Sequence, residues 1–230
     1  MSHRQNSDIA NRQPDFDHIY SRYDILNHIL SFGFDKDWRR EMSDLAIKKG
    51  CINVLDLASG TGDSAIDLLR QGCKVVGLDL SQKMLLSAVK KVKTPQYIPV
   101  VGSGYHMPFK DETFDAVTCA FGIRNMHQTS MAVSEIFRVL KYGGWVFILE
   151  FSMPNSSLFR KIYRVYLKNL VPLIAGMLSS MSAYRYLGDS IEAFHSRDTF
   201  CNILINHGFK DCQIKDMTFG TVTLYSAIKG

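Results

Sequence analysis

The chain has 230 residues, 46% of them hydrophobic and 21% charged, with a formal net charge of +5. These proportions are those of ordinary globular protein and exclude a disordered chain, a collagen-like repeat and a disulfide-stapled miniprotein. The longest uncharged apolar stretch, Asn169 to Ala183, is interrupted by a proline, a glycine and polar residues, and falls short of the ~20 apolar residues a membrane-spanning helix needs.

Residues 1–14 are polar and lack the apolar core of a signal peptide, so a flexible tail and a cytoplasmic protein are expected. Residues 15–230 read as one domain. Asp15–Leu30 and Lys36–Lys49 have helical patterns. Then short apolar runs rich in valine and isoleucine, Ile52–Leu57, Lys74–Asp79, Tyr97–Val101, Phe114–Ala120 and Trp145–Phe151, predict buried strands. Between them Ser64–Gln71, Ser81–Val92 and Thr129–Leu140 predict helices. That alternation gives an α/β fold with a mostly parallel sheet covered on both faces. Ser156–Leu187 and Arg197–Asn206 read as a helical insertion, and Asp211–Thr218 with Thr221–Ile228 as an antiparallel pair at the sheet edge. The five cysteines, Cys51, Cys73, Cys119, Cys201 and Cys212, show no metal-ligand spacing; reduced thiols and no metal are expected.

The sharpest motif runs from Val54 through Asp56, Gly60, Thr61 and Gly62 to Asp63. A buried strand ends in a loop of small residues and opens a helix. Gly60 and Gly62 permit positive φ and close approach of a ligand to the backbone. Asp79, at the end of the second strand, suits the two hydroxyls of a ribose. Gly60-x-Gly62-x-x-Ala65 also fits the dinucleotide fingerprint. A pyrophosphate disfavours neighbouring acids, however, and here Asp56 and Asp63 flank the loop. Two carboxylates suit a cationic ligand better, and S-adenosylmethionine combines an ammonium group, a sulfonium and a ribose diol.

Three further motifs accompany the loop: Tyr20-Ser21-Arg22-Tyr23-Asp24 with Ser31-Phe32-Gly33 and Trp38-Arg39; Phe121-Gly122-Ile123-Arg124-Asn125; and Tyr184-Arg185-Tyr186-Leu187 with Ser190-Ile191. With them the chain resembles the class I S-adenosylmethionine-dependent methyltransferases, and among these the ubiquinone and menaquinone biosynthesis C-methyltransferases, from about Phe16 to Gly230. The resemblance implies a Rossmann-like seven-stranded sheet, mostly parallel with an antiparallel edge strand, N-terminal helices and a helical insertion before the last strands. It implies that Thr61 and its glycines hold the methionine part of the donor, that Ser103-Gly104 lies at the adenine, and that Ala120 lines the site beneath the sulfonium. The family usually has Asp or Asn followed by Ala where this chain has Ser103-Gly104, Gly where it has Ser59, and often Ser where it has Ala120.

The implied acceptor is a prenylated quinol, demethylmenaquinol or its ubiquinone-pathway counterpart. A ring carbon of such a quinol becomes nucleophilic once a hydroxyl ionises, so positioning and a cation near the phenolate are the expected aids. Arg124 is the candidate for that cation, with Asn125 beside it; helix capping or pairing with an acid is its alternative. Tyr23 and Asp24 belong to the segment expected to fold over the donor. Because the acceptor dissolves in lipid, Leu158–Leu187, with Arg160, Lys161, Arg164 and Lys168 among apolar residues, is the candidate for peripheral contact with the inner face of a membrane. Packing on the sheet or a homodimer contact is the other use of that face. No nucleic acid is expected. The rival readings are a methyltransferase for RNA or another small molecule, and a donor-binding protein without catalysis.

Overall fold

The computed structural model describes residue 31, residues 33–170 and residues 188–230. Tyr23, Asp24, the N-terminal tail and Tyr184–Leu187 lie outside the described residues. Helix α1 spans Asp35–Lys48, followed by β1 (Asn53–Leu57), α2 (Asp63–Arg70), β2 (Lys74–Asp79), α3 (Gln82–Val92) and β3 (Tyr97–Val101). After β4 (Phe114–Ala120) come a short 3-10 turn, Ile123–Asn125, α4 (Thr129–Val139) and β5 (Leu140–Phe151). The last third holds α5 (Ser157–Val165), a π turn (Tyr166–Leu170), α6 (Arg197–Asn206), β6 (Phe209–Met217) and β7 (Val222–Lys229).

The seven strands lie in the order β3-β2-β1-β4-β5-β7-β6. Six point the same way, and β7 alone is reversed, running antiparallel to both β5 and β6. The expected C-terminal pair therefore sits at that edge, with the reversed strand one place in. Pro99 is in β3 at the opposite edge, where a missing ladder donor costs least. From β1 the chain proceeds outward through β2 and β3, and from β4 it proceeds the other way. The gap between the C-terminal ends of β1 and β4 is thus a topological switch point, where open α/β sheets bind ligands.

Boundaries depart from the sequence pattern where tertiary contacts take over. β5 starts at Leu140, which pairs with Phe114 before a register shift, so strand pairing carries it through the Gly143-Gly144 stretch. β6 starts at Phe209, which is buried edge-on against Phe137. The expectation of five reduced cysteines is corrected: Cys201 and Cys212 form a disulfide with Cα atoms 6.1 Å apart, because α6 turns directly into β6 and packs on it. Cys51, Cys73 and Cys119 are free and buried.

Gly77 has a specific packing reason. It is register partner to Asp56 of β1, and the Tyr97 side chain crosses the space a Cβ there would fill. Gly77→Ala should overlap the Tyr97 ring and lower unfolding free energy by about 1–3 kcal/mol. Urea denaturation reads this directly; an unshifted midpoint would contradict the close packing.

Candidate donor site

Three residues form a row across the sheet just below its ligand edge. Thr118 of β4 pairs with Asp56 of β1, and Asp56 with Gly77 of β2. Side by side, they put Thr118 Oγ1 3.0 Å from Asp56 Oδ1, to which it donates. From the loop, Ser59 Oγ donates to Asp56 Oδ2 at 2.8 Å and lies 3.1 Å from the Tyr97 hydroxyl, which reaches in over Gly77. Asp56 is 1% exposed. Burial pushes its pKa up to about 6, against the hydrogen bonds from Ser59 and Thr118 and the positive charge of Arg39, while Asp79 adds to the rise. Burial likewise pushes the Tyr97 phenol up to about 12.

Above this row the loop Ala58–Gly62 bends sharply. Ala58, Gly60 and Gly62 all have positive φ. Gly62 is the N-cap of α2, and a Cβ there would sit 3.1 Å from both Ala88 Cβ and Val92 Cγ2 of α3. Asp79 holds the loop from the next strand: its Oδ2 accepts from Gly60 N–H at 2.9 Å and its Oδ1 from Ser81 N–H at 2.9 Å. Thr61 is buried between these elements.

The β4 loop faces this one across the switch point. Phe121, like Ala58, is in the left-handed region. A Cβ on Gly122 would come within 2.5 Å of Ala58 Cβ, so only glycine lets the two strained turns touch. Ala120 is half-buried at the end of β4. Ser103 and Gly104 are half-buried beyond β3. Ser103 Oγ accepts from Tyr105 N–H at 3.1 Å, and a Cβ on Gly104 would meet Leu57 and Met126 at 3.2 Å. The structure thus brings Gly60, Thr61, Gly62, Asp79 and Ala120 to one edge, with Ser103-Gly104 packed against the β1 end and the turn after β4.

Two expectations change. The flanking carboxylates are not offered together to a cationic ligand: Asp56 is buried in its row, and Asp63 forms an ion pair with Lys91 of α3. Arg124 takes its alternative, pairing with an acid. Its Nη1 donates to Glu150 Oε1 at 2.7 Å and to Phe121 O at 2.8 Å, its Nε to Ser190 Oγ at 3.3 Å, and its own backbone N–H to Glu150 Oε2 at 3.2 Å. The guanidinium is enclosed and lies 5.5 Å from the centre of the Phe151 ring. Asn125 closes the turn with its N–H on Gly122 O at 3.1 Å and stays half-buried. Sequence reasoning missed Glu150, Thr118 and Tyr97. An acid inside the apolar run Trp145–Phe151 and a glycine inside β2 were the available signals.

Comparison with known proteins now decides the family. The ubiE/COQ5 methyltransferase family model matches residues 5–229. The chain belongs to that family. It is 42% identical over 228 residues to the ubiquinone/menaquinone biosynthesis C-methyltransferase UbiE of Geobacter sulfurreducens, covering 94% of this chain and 87% of the relative. It is 41% identical over 220 residues to the demethylmenaquinone methyltransferase of Chlorobaculum tepidum, covering 93% and 90%. Among solved structures, it superposes on a possible histamine N-methyltransferase of Thermotoga maritima with a TM-score of 0.66 at 16% identity, covering 94% and 98%. A Haemonchus contortus phosphoethanolamine N-methyltransferase 2, solved with S-adenosyl-L-methionine, matches at a TM-score of 0.60 and 20% identity, covering 80% and 51%. These two likenesses establish the fold.

The buried row gives a pH signature. Asp56 has a folded pKa near 6, above its ordinary value of 3.8, so the folded state binds the proton more tightly. Its stabilising contribution is full below about pH 4 and is lost as pH rises through about 6. The unfolding free energy of wild type minus that of Asp56→Asn should therefore fall by about 2–3 kcal/mol across this window. A difference that stays flat with pH would show that Asp56 does not titrate this way.

Proposed function

We infer that the protein transfers a methyl group from S-adenosylmethionine to a ring carbon of a prenylated quinol, with demethylmenaquinol as the acceptor. It is an S-adenosylmethionine-dependent C-methyltransferase of quinone biosynthesis; one relative is named a ubiquinone/menaquinone biosynthesis C-methyltransferase and the other a demethylmenaquinone methyltransferase. The observation that supports the site assignment is the meeting of two strained turns at the switch point, with Asp79 at its rim. These residues fit the donor: Asp79 for the ribose, Ser103-Gly104 for the adenine, and Thr61 with Gly60 and Gly62 for the methionine part. Bound there, the donor supplies an electrophilic methyl on a sulfonium beside Ala120.

Acceptor activation falls to the turn after β4 and to Tyr23 and Asp24. The Arg124–Glu150 pair fixes that turn, so we assign Arg124 to positioning Asn125 and Phe121 rather than to removing a proton, which a guanidinium does poorly. The phenolate form of the quinol, not an oxidised quinone, is the reactive acceptor.

The lipid-soluble tail needs an apolar surface. Among the described residues no helix is long and apolar enough to cross a membrane. On α5, Leu158, Ile162 and Val165 follow helical spacing and are 65%, 57% and 60% exposed, while Tyr163 and Tyr166 turn toward the core. Phe159 stacks at 5.2 Å on Phe219 of the β6–β7 turn. Basic Arg160, Lys161, Arg164 and Lys168 accompany this apolar face, although Glu192 pairs with Arg164 and Lys168. Such a surface suits an anionic bilayer.

A methyl-transfer assay with labelled donor should show product with reduced demethylmenaquinol and none with its oxidised form; transfer to the ubiquinone-pathway quinol alone would move the acceptor. In calorimetry, Asp79→Ala should weaken donor binding by about 1–3 kcal/mol, the order of lost charge-assisted hydrogen bonds, and unchanged affinity would remove the ribose assignment. Vesicle flotation should recover less of an Arg160, Lys161 and Arg164 triple alanine variant than of wild type on anionic lipid at low salt. Equal recovery at low and high salt would refute the electrostatic contact.

A further inference from the structure

Arg39 is a buried arginine that the assigned sites leave without a task. It lies on α1 and is 7% exposed. One turn earlier, Asp35 accepts from its Nη1 at 2.5 Å and is itself oriented by Ser31 Oγ at 2.9 Å. The guanidinium carbon sits 5.1 Å from the centre of the Phe121 ring, the residue that follows Ala120 in the left-handed turn. Its charge acts on Asp56 beneath the glycine loop and on Asp67 of α2, the helix that loop opens. Helix α1 packs on α2, and the ring contact sets this cation against the turn after β4, beside the donor loop.

Among the described residues Asp35 is the acid it is paired with, and apolar side chains pack beside it. Trp38 and Met42 on the same helix are buried apolar residues that pack the core, and Trp38 packs on the same Phe121 ring. Burying a guanidinium among them carries a desolvation cost that one aspartate offsets only in part. The donor bears one full anion, the α-carboxylate of its methionine part. Asp56 and Asp63 repel that group, and Lys91 is engaged by Asp63. A guanidinium presents five N–H donors in a fork, enough to serve Asp35 and a second carboxylate together.

We propose that Arg39 binds the α-carboxylate of the methyl donor, with Asp35 as its positioning partner. The inference rests on the donor site assigned above and adds the anchor for the end of the molecule opposite the ribose. Calorimetry with two nucleosides tests it: S-adenosylhomocysteine, which has the amino-acid end, and 5′-methylthioadenosine, which lacks it. Arg39→Gln should weaken S-adenosylhomocysteine about 10- to 100-fold, the range for a lost charged hydrogen bond, and leave 5′-methylthioadenosine unchanged. Arg39→Lys, which keeps the charge without the fork, should recover part of that loss. It also carries the comparison if the Gln variant does not fold. Equal losses for both nucleosides, or none for either, would overturn the role of Arg39. Wild type that binds neither would instead overturn the donor site itself.

Discussion

The site depends on a carboxylate that never reaches solvent. Asp56 sits in a row with Thr118 and Gly77, and its two oxygens accept from a strand hydroxyl and a loop hydroxyl. An isolated ionised carboxylate in such a place would be costly. Here it is tolerated because Ser59 and Thr118 satisfy it and Arg39 lies near. The consequence is mechanical. Ser59 cannot leave Asp56 without exposing a buried acid, so the first bend of the glycine loop is tied to the sheet, and Asp79 ties the next residue from the neighbouring strand. A loop with three residues at positive φ keeps one shape because two carboxylates from adjacent strands hold it.

The second turn uses the same device, a buried strand carboxylate, with a cation added on the turn. Glu150, at the end of β5, binds the Arg124 side chain and backbone and receives its neighbour's N–H from Phe151 at 2.9 Å. A fully buried ion pair gives little net stability over an apolar pair of equal volume, but breaking it by removing one partner is expensive. Its use here lies in geometry. Phe121 is strained, and its carbonyl is caught by Arg124 while its ring lies 4.5 Å from the Phe151 ring. The strain at Ala58 and Phe121 is thereby held from both sides of the switch point, where a bound molecule would meet preformed backbone rather than a loop that must first be ordered.

Much of the fold was legible because its strands are apolar throughout and its helices amphipathic. β2, β3 and β4 have the bounds the sequence pattern gives them, and Asp79 and the glycines stand where a ligand edge requires them. What stayed hidden was pairwise. Nothing in a single sequence says that Thr118 and Gly77 flank Asp56, since Thr118 lies 62 residues from Asp56 in the chain and meets it only once the strands are in register. Arg124 looked like a functional cation because its motif is local, whereas its partner Glu150 comes from the next strand. Cys201 and Cys212 likewise gave no spacing signal, and their bond follows from α6 folding back on β6. The carboxylates flanking the glycine loop suggested a receptor for a cation; packing turned one inward and paired the other with Lys91.

The proposed donor site and the exposed apolar surface of α5 are linked through α1. Its Arg39 lies against the Phe121 ring at the turn after β4. Its Trp38 packs on Phe121 and Phe151 and donates from Nε1 to Thr218 Oγ1 at 3.0 Å. Thr218 precedes Phe219, the exposed ring stacked on Phe159 of α5. One helical segment thus contacts the turn beside the donor loop and the turn that carries the apolar surface. A sheet alone could not arrange this, because its ligand edge is lined by polar loop backbone and carboxylates that repel a hydrocarbon tail. Covering the strand ends with helices supplies apolar surface next to that edge, while the buried row keeps the edge itself rigid. That division explains why the chain surrounds a short parallel sheet with so much helix.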